Sequence, residues 1–120
     1  MNYEERRAAP RHPCDIQAEL QLVLPGETSS RTFVVRLIDI STLGAGVSLQ
    51  ANEASDMFTV LKESRLGRLK IKRDPRRFHI YCKVVWVDEA SGQIGLWFTG
   101  DNRGLDEDPD FLALIDQMVY

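Results

Sequence analysis

The 120-residue sequence has no apolar run approaching the roughly 20 residues that a membrane-spanning helix needs. Its first residues, Met-Asn-Tyr-Glu-Glu-Arg-Arg, contain no apolar core for a signal peptide, so a soluble protein in the cytosol is the expectation. Cysteine and histidine are scarce: Cys14 and Cys82, His12 and His79. In a reducing compartment two thiols do not predict a disulfide. Two Cys and two His match a zinc site in number, but their spacing opposes one. His12 and Cys14 would share a strand face, whereas His79 and Cys82, three apart, would point to opposite faces. No metal is expected, and the thiols read as small buried side chains. Positive charge is not in excess either. With 15 Lys and Arg against 18 Asp and Glu the net charge is −3, which argues against a nucleic-acid polymer as partner. Internal repeats and low-complexity tracts are absent. So is any nucleophile–base pair: the histidines fall at strand ends without a triad, and no enzyme is predicted.

What is present is a soluble globular composition, 43% apolar and 28% charged, in a chain long enough for one domain. Residues 1–11 are polar and include Pro10, with Pro13 just beyond; proline disfavours a regular helix, so this stretch reads as a flexible arm. From Cys14 to Leu24 apolar and polar residues alternate, as in a strand with one face in a core. Pro25-Gly26 breaks that strand. A second strand is predicted over 31–38, with Phe33, Val35 and Leu37 on one face, and a third over 46–49. Ala54, Met57, Phe58 and Leu61 fit helical spacing within 51–64. Leu69 and Ile71 mark a fourth strand. A fifth, over 78–87, sets Phe78, Ile80, Cys82, Val84 and Trp86 on one face. Ser91-Gly92 forms a turn, and Ile94, Leu96 and Phe98 give a sixth strand. Asp108-Pro109 reads as an N-cap followed by a first helical residue, with Phe111, Leu114, Ile115 and Met118 on one stripe. Six short antiparallel strands predict a mainly β fold, a closed or nearly closed barrel with a helix over one end.

Two polar clusters interrupt this pattern. One is the corner Asp39-Ile40-Ser41-Thr42-Leu43-Gly44, between two apolar runs. Asp accepts paired hydrogen bonds, Ser donates or accepts, and Gly admits a ligand close to the backbone. The same residues also shape turns with no ligand present. The other cluster is Arg6, Arg7 and Arg11. A third arginine group, Arg73, Arg76 and Arg77, has only Phe78 as an adjacent aromatic and reads as a solvated hairpin tip rather than a nucleic-acid surface.

These residues resemble a PilZ domain, the bacterial receptor module for cyclic di-GMP. Arg7-Ala8-Ala9-Pro10-Arg11 is similar to the family's R-x-x-x-R, and Asp39 to Gly44 to its D/N-x-S-x-x-G. Val84-Val85-Trp86 followed by Ile94-Gly95-Leu96-Trp97-Phe98 looks like its closing hairpin. The resemblance spans nearly the whole chain. It departs in a longer 50–64 connection and a variable terminal helix.

The resemblance implies a single PilZ domain over 1–120: a ligand-binding arm at 1–13, a six-stranded antiparallel barrel at 14–98 and a C-terminal helix at 108–119. Arg7 and Arg11 would bond phosphate bidentately and read guanine O6 and N7. Arg6 would add a phosphate contact or stack on a base, and the doubled arginine implies two intercalated ligands per chain. Asp39 would accept from the guanine N–H edge, Ser41 would bond phosphate or a neighbouring polar group, and Gly44 would allow close approach. Trp86 stands either beside the ligand or in the core. No further cofactor is implied. The expected function is a cyclic di-GMP receptor whose arm changes conformation and signals to a protein effector, in motility, exopolysaccharide or biofilm control. The alternative is a PilZ-fold interaction adaptor that does not bind the nucleotide; intact motifs disfavour it.

Overall fold

The computed structural model describes residues 12–23, 30–73, 76–99 and 108–117. The elements run β1 (His12–Val23), β2 (Ser30–Ile40), β3 (Gly44–Leu49), α1 (Ala51–Leu61), β4 (Leu66–Arg73), β5 (Arg76–Asp88), β6 (Gln93–Phe98) and α2 (Pro109–Gln117). The six strands pair antiparallel and close into a barrel in the order β1-β2-β3-β6-β5-β4. The alternation that predicted each strand also fills the interior. Leu20, Leu22, Phe33, Val35, Leu37, Val47, Leu69, Ile80, Ile94 and Leu96 all point inward and are buried.

Both helices complete the core. α1 buries Met57, Val60 and Leu61, with Ala54 and Phe58 partly covered, which is the stripe expected from spacing. Glu53 fixes it to β2 by accepting the Val34 backbone N–H at 2.9 Å. α2 starts as its sequence predicts: Asp108 Oδ1 accepts the N–H groups of Asp110 (2.9 Å) and Phe111 (3.3 Å). Phe111 is fully buried and meets Phe78 and Phe98 edge to face, at 5.7 and 6.5 Å between centroids. Arg76 locks the helix from outside, bonding Asp108 at 3.0 Å and also Asp110. Among the described residues no helix is long and apolar enough to cross a membrane.

Several bounds differ from the sequence reading. β1 starts at His12, β2 runs on through Asp39 to Ile40, β3 begins at Gly44, and α1 stops at Leu61. One face assignment is corrected. Trp86 does not continue the Phe78–Val84 core face; it is 42% exposed. The cause is a β-bulge: Val84 pairs with Leu96 but Trp86 pairs with Gly95, so one extra residue in β5 reverses the alternation and turns Val87 inward instead. The Pro25-Gly26 break, Met118 and the acidic stretch from Asp101 to Glu107 lie outside the described residues, as does the whole arm at 1–11.

Candidate ligand-binding site

The corner is built from backbone register. β2 carries its own bulge, with Leu37 opposite Val47 and Asp39 opposite Gly46, so Ile38 is the extra residue. That bulge lets Asp39 face outward while Ile40 returns to the core. β1 has a third irregularity between Pro13 and Ile16, after Pro13 has paired with Asp39. Following partners across the sheet gives one continuous row: Pro13, Asp39, Gly46, Gly95, Trp86. All three register shifts adjoin this single row, which lies on the outward face because Ala45, Val47, Ile94 and Leu96 on either side point inward. Bulges re-aim side chains and concentrate beside functional sites.

The row has a floor and two walls. Gly46 and Gly95, neighbours across β3 and β6, present bare backbone. The Asp39 carboxylate leans over Gly46: Oδ1 accepts the Gly46 N–H at 2.9 Å, and a Cβ on Gly46 would stand 2.7 Å from Oδ2. From the other side the Trp86 indole lies across Gly95, where any Cβ would overlap its ring. Gly46 and Gly95 are paired on adjacent strands, about 5 Å apart, so they seat the carboxylate and the indole side by side. Such a surface offers a planar aromatic group a ring to stack on and an acceptor for its N–H edge.

Ser41 is 3% exposed, and its hydroxyl is engaged in its own turn. Oγ accepts from Leu43 N at 3.1 Å and Gly44 N at 3.2 Å and donates to the Gly44 carbonyl at 3.3 Å, while Ser41 N donates to the same carbonyl at 2.9 Å. Gly44 has a packing reason to be glycine: a Cβ would overlap the Leu96 carbonyl oxygen of β6. Gly46 and Gly95 were not singled out from sequence. The signal was the pair Gly44-Ala45-Gly46 and Ile94-Gly95-Leu96, legible only once register set the two glycines side by side. Arg6, Arg7 and Arg11 lie outside the described residues.

Near the row, Cys14 donates to the Leu37 carbonyl at 3.5 Å. Burial, with the Asp39 and Asp15 carboxylates adding, pushes its thiol up to about 11, and burial raises Cys82 to about 12. Neither is a thiolate at neutral pH, so neither is poised as a nucleophile. Among the described residues no three His, Cys, Asp or Glu side chains gather as metal ligands would.

The family model described as PilZ domain matches residues 5–108, spanning the barrel, the corner and the arginine motif. The chain belongs to the PilZ family. Its barrel is also similar to a solved structure, the PilZ domain with c-di-GMP of YcgR from Escherichia coli. That likeness has a TM-score of 0.60 at 15% identity and covers 94% of this chain and 91% of that one. At that identity the likeness speaks to the PilZ fold. A search of curated protein sequences finds no match.

Proposed function

We propose that this PilZ domain is a receptor for cyclic di-GMP and that the row from Asp39 to Trp86 receives a guanine base. The observation that carries the reading is this row. Two paired glycines seat an acceptor carboxylate and an exposed indole side by side on adjacent strands. It adjoins the point where β1 begins at His12, opposite Ile40. Arg11 directly precedes His12 in the chain and Arg7 stands four residues before Arg11, so the motif is joined in sequence to the strand that starts at this corner. The c-di-GMP bound by the similar YcgR domain is consistent with the reading.

In this mechanism Asp39 accepts from the guanine N–H edge, Trp86 stacks on a base, and Ser41 with Gly44 hold the corner's shape. Arg7 and Arg11 close over phosphate and guanine, and Arg6 supports a second, intercalated ligand. Each charge-assisted hydrogen bond contributes roughly 1.5–3 kcal/mol. Four or five of them offset the cost of association and of ordering the arm, leaving micromolar or better affinity. The ordered arm changes the surface that a protein effector reads, so the ligand biases one of two states by its differential contacts.

Calorimetric titration with cyclic di-GMP, with GTP and cyclic di-AMP as controls, tests the proposal. Saturable and selective heat is expected, and a stoichiometry of two marks an intercalated pair. Absence of heat, together with absence of competition at high ligand, would sink the receptor reading and leave the interaction adaptor.

A further inference from the structure

The outward face of the β4–β5 hairpin carries a charge pattern that the ligand row does not use. Residues 65–83 hold eight of the chain's 15 Lys and Arg but one of its 18 Asp and Glu. The inward positions of both strands are apolar. Arg68, Lys70 and Lys72 on β4 therefore stand outward with His79, Lys83 and Arg77 on β5. Register sets Lys72 opposite Arg77 and Lys70 opposite His79. Like charges directly opposite one another repel and destabilise a sheet. Among the described residues the ion pairs are made by Arg31 and Arg36 on β2 and, at the tip of the hairpin, by Arg76, which turns to Asp108 and Asp110.

Shape adds to charge. β1 and β4 pair only from Glu19 to Leu22 and from Gly67 to Lys70. Beyond that the strands part, leaving a groove of about 450 Å³ floored by Ala18, Ile71 and Phe78 and walled by Lys70, Lys72 and Arg77. Among the described residues Glu19 is the one carboxylate along it. At the other end of the same face the exposed side chains are apolar: Leu66, Tyr81, Val85 and Trp86, four of the six most exposed large hydrophobics among the described residues. Arg68 stacks on the Tyr81 ring at 4.9 Å and donates to its hydroxyl at 3.1 Å.

We propose that this hairpin face docks a protein partner that presents an apolar patch bordered by Asp and Glu. Tyr, Trp and Arg are the side chains that anchor protein interfaces, with charge at the rim. Partner carboxylates entering the groove offset the Lys72–Arg77 repulsion. A single-stranded nucleic acid suits the face less well. It needs a succession of open aromatic rings, but Arg68 takes a face of Tyr81, which leaves only the Trp86 ring that the ligand row already uses. A bilayer suits it less well too, because Arg68 and Lys83 stand among the apolar four and would have to be buried with them. The docking face stands on its own observations. Its link to the ligand rests on the receptor reading, since Trp86 ends both the ligand row and the hairpin face.

The test places a photo-crosslinking amino acid at Val85 in host cells, with the exposed Ser55 of α1 as control position. Any captured protein is then purified and titrated against the wild type and a Lys70→Gln/Lys72→Glu variant. A protein adduct from Val85 alone is expected, with at least tenfold weaker binding by the variant. That variant sets an opposite charge against Arg77 and places no carboxylate beside Glu19, so its thermal unfolding temperature holds and lost binding cannot be unfolding. It keeps the ligand row, so cyclic di-GMP titrates it as it does the wild type. No adduct, a second copy of this chain as the adduct, equal partner affinity for the two proteins, or capture of phosphatidylglycerol vesicles in place of a protein would overturn the proposal. Partner binding retained in a chain that shows no cyclic di-GMP binding would overturn the receptor reading alone.

Discussion

The two outward faces of the barrel handle their polar groups in opposite ways. Around the corner each one is matched locally: Asp39 to the Gly46 N–H, and the Ser41 hydroxyl to three backbone groups within its turn. Three bulges and two glycines shape that arrangement. The β4–β5 hairpin instead sets cation against cation and leaves large apolar side chains exposed. A face satisfied by its own backbone is pre-organised and gains affinity by not having to rearrange. A face that retains repulsion gains stability only when something covers it. That contrast is the one expected if the first face receives the small ligand and the second the macromolecular partner proposed above.

The sharpest way to break this contrast is to remove cations from each side of it. Arg7→Ala or Arg11→Ala is expected to abolish measurable cyclic di-GMP binding, since losing two charge-assisted bonds of roughly 1.5–3 kcal/mol each weakens binding a hundredfold or more. Arg77→Ala is expected to leave it unchanged. Comparable losses at Arg77 in a calorimetric titration would move the ligand site to the hairpin. Next in size is Gly44→Ala. The new Cβ meets the Leu96 carbonyl, a backbone atom that cannot swing aside, so denaturant unfolding should show a loss of about 1–3 kcal/mol.

Gly95→Ala sharpens the comparison from within the site. Here the added Cβ meets the Trp86 ring, which can move outward. Stability should change little, while the Trp86 indole N–H resonance shifts and ligand affinity falls about tenfold, close to one lost stacking contact. An unmoved resonance would remove Trp86 from the proposed row. The smallest effect concerns the α2 anchor. The Arg76 hydrogen bond, with those from the Phe111 and Asp110 N–H groups, holds Asp108 below its ordinary value. A depressed carboxylate contributes stability above its unfolded pKa and loses it as pH falls through the folded one. Anchoring of α2 should therefore be constant near neutrality and weaken only in acid, below the usual Asp range. A carbon-detected titration of Asp108 checks this, and Arg76→Ala should return its midpoint toward the ordinary value.

Period-two patterning made the strands of this protein legible in its sequence, because an alternating chain has one way to bury its apolar face. β1 from Ala18 to Leu22 and β5 from Phe78 to Val84 follow it residue by residue. Asp108-Pro109 announced α2 because capping is local chemistry. The D-x-S-x-x-G corner and the arginine motif were visible as well, since a motif is a spacing along the chain. Trp86 defeated the pattern, because one inserted residue in β5 reverses every side chain after it and no composition signal marks a bulge. Gly46 and Gly95 were invisible for a related reason: each is unremarkable alone, and only cross-strand register makes them one floor. The like-charged hairpin face likewise arose from pairing Lys72 with Arg77, residues separated in sequence by a turn. The sequence by itself determined which residues alternate, cap and form motifs, because those depend on near neighbours. Tertiary structure alone decided which of them meet across strands, because register and bulges depend on how all six strands close together.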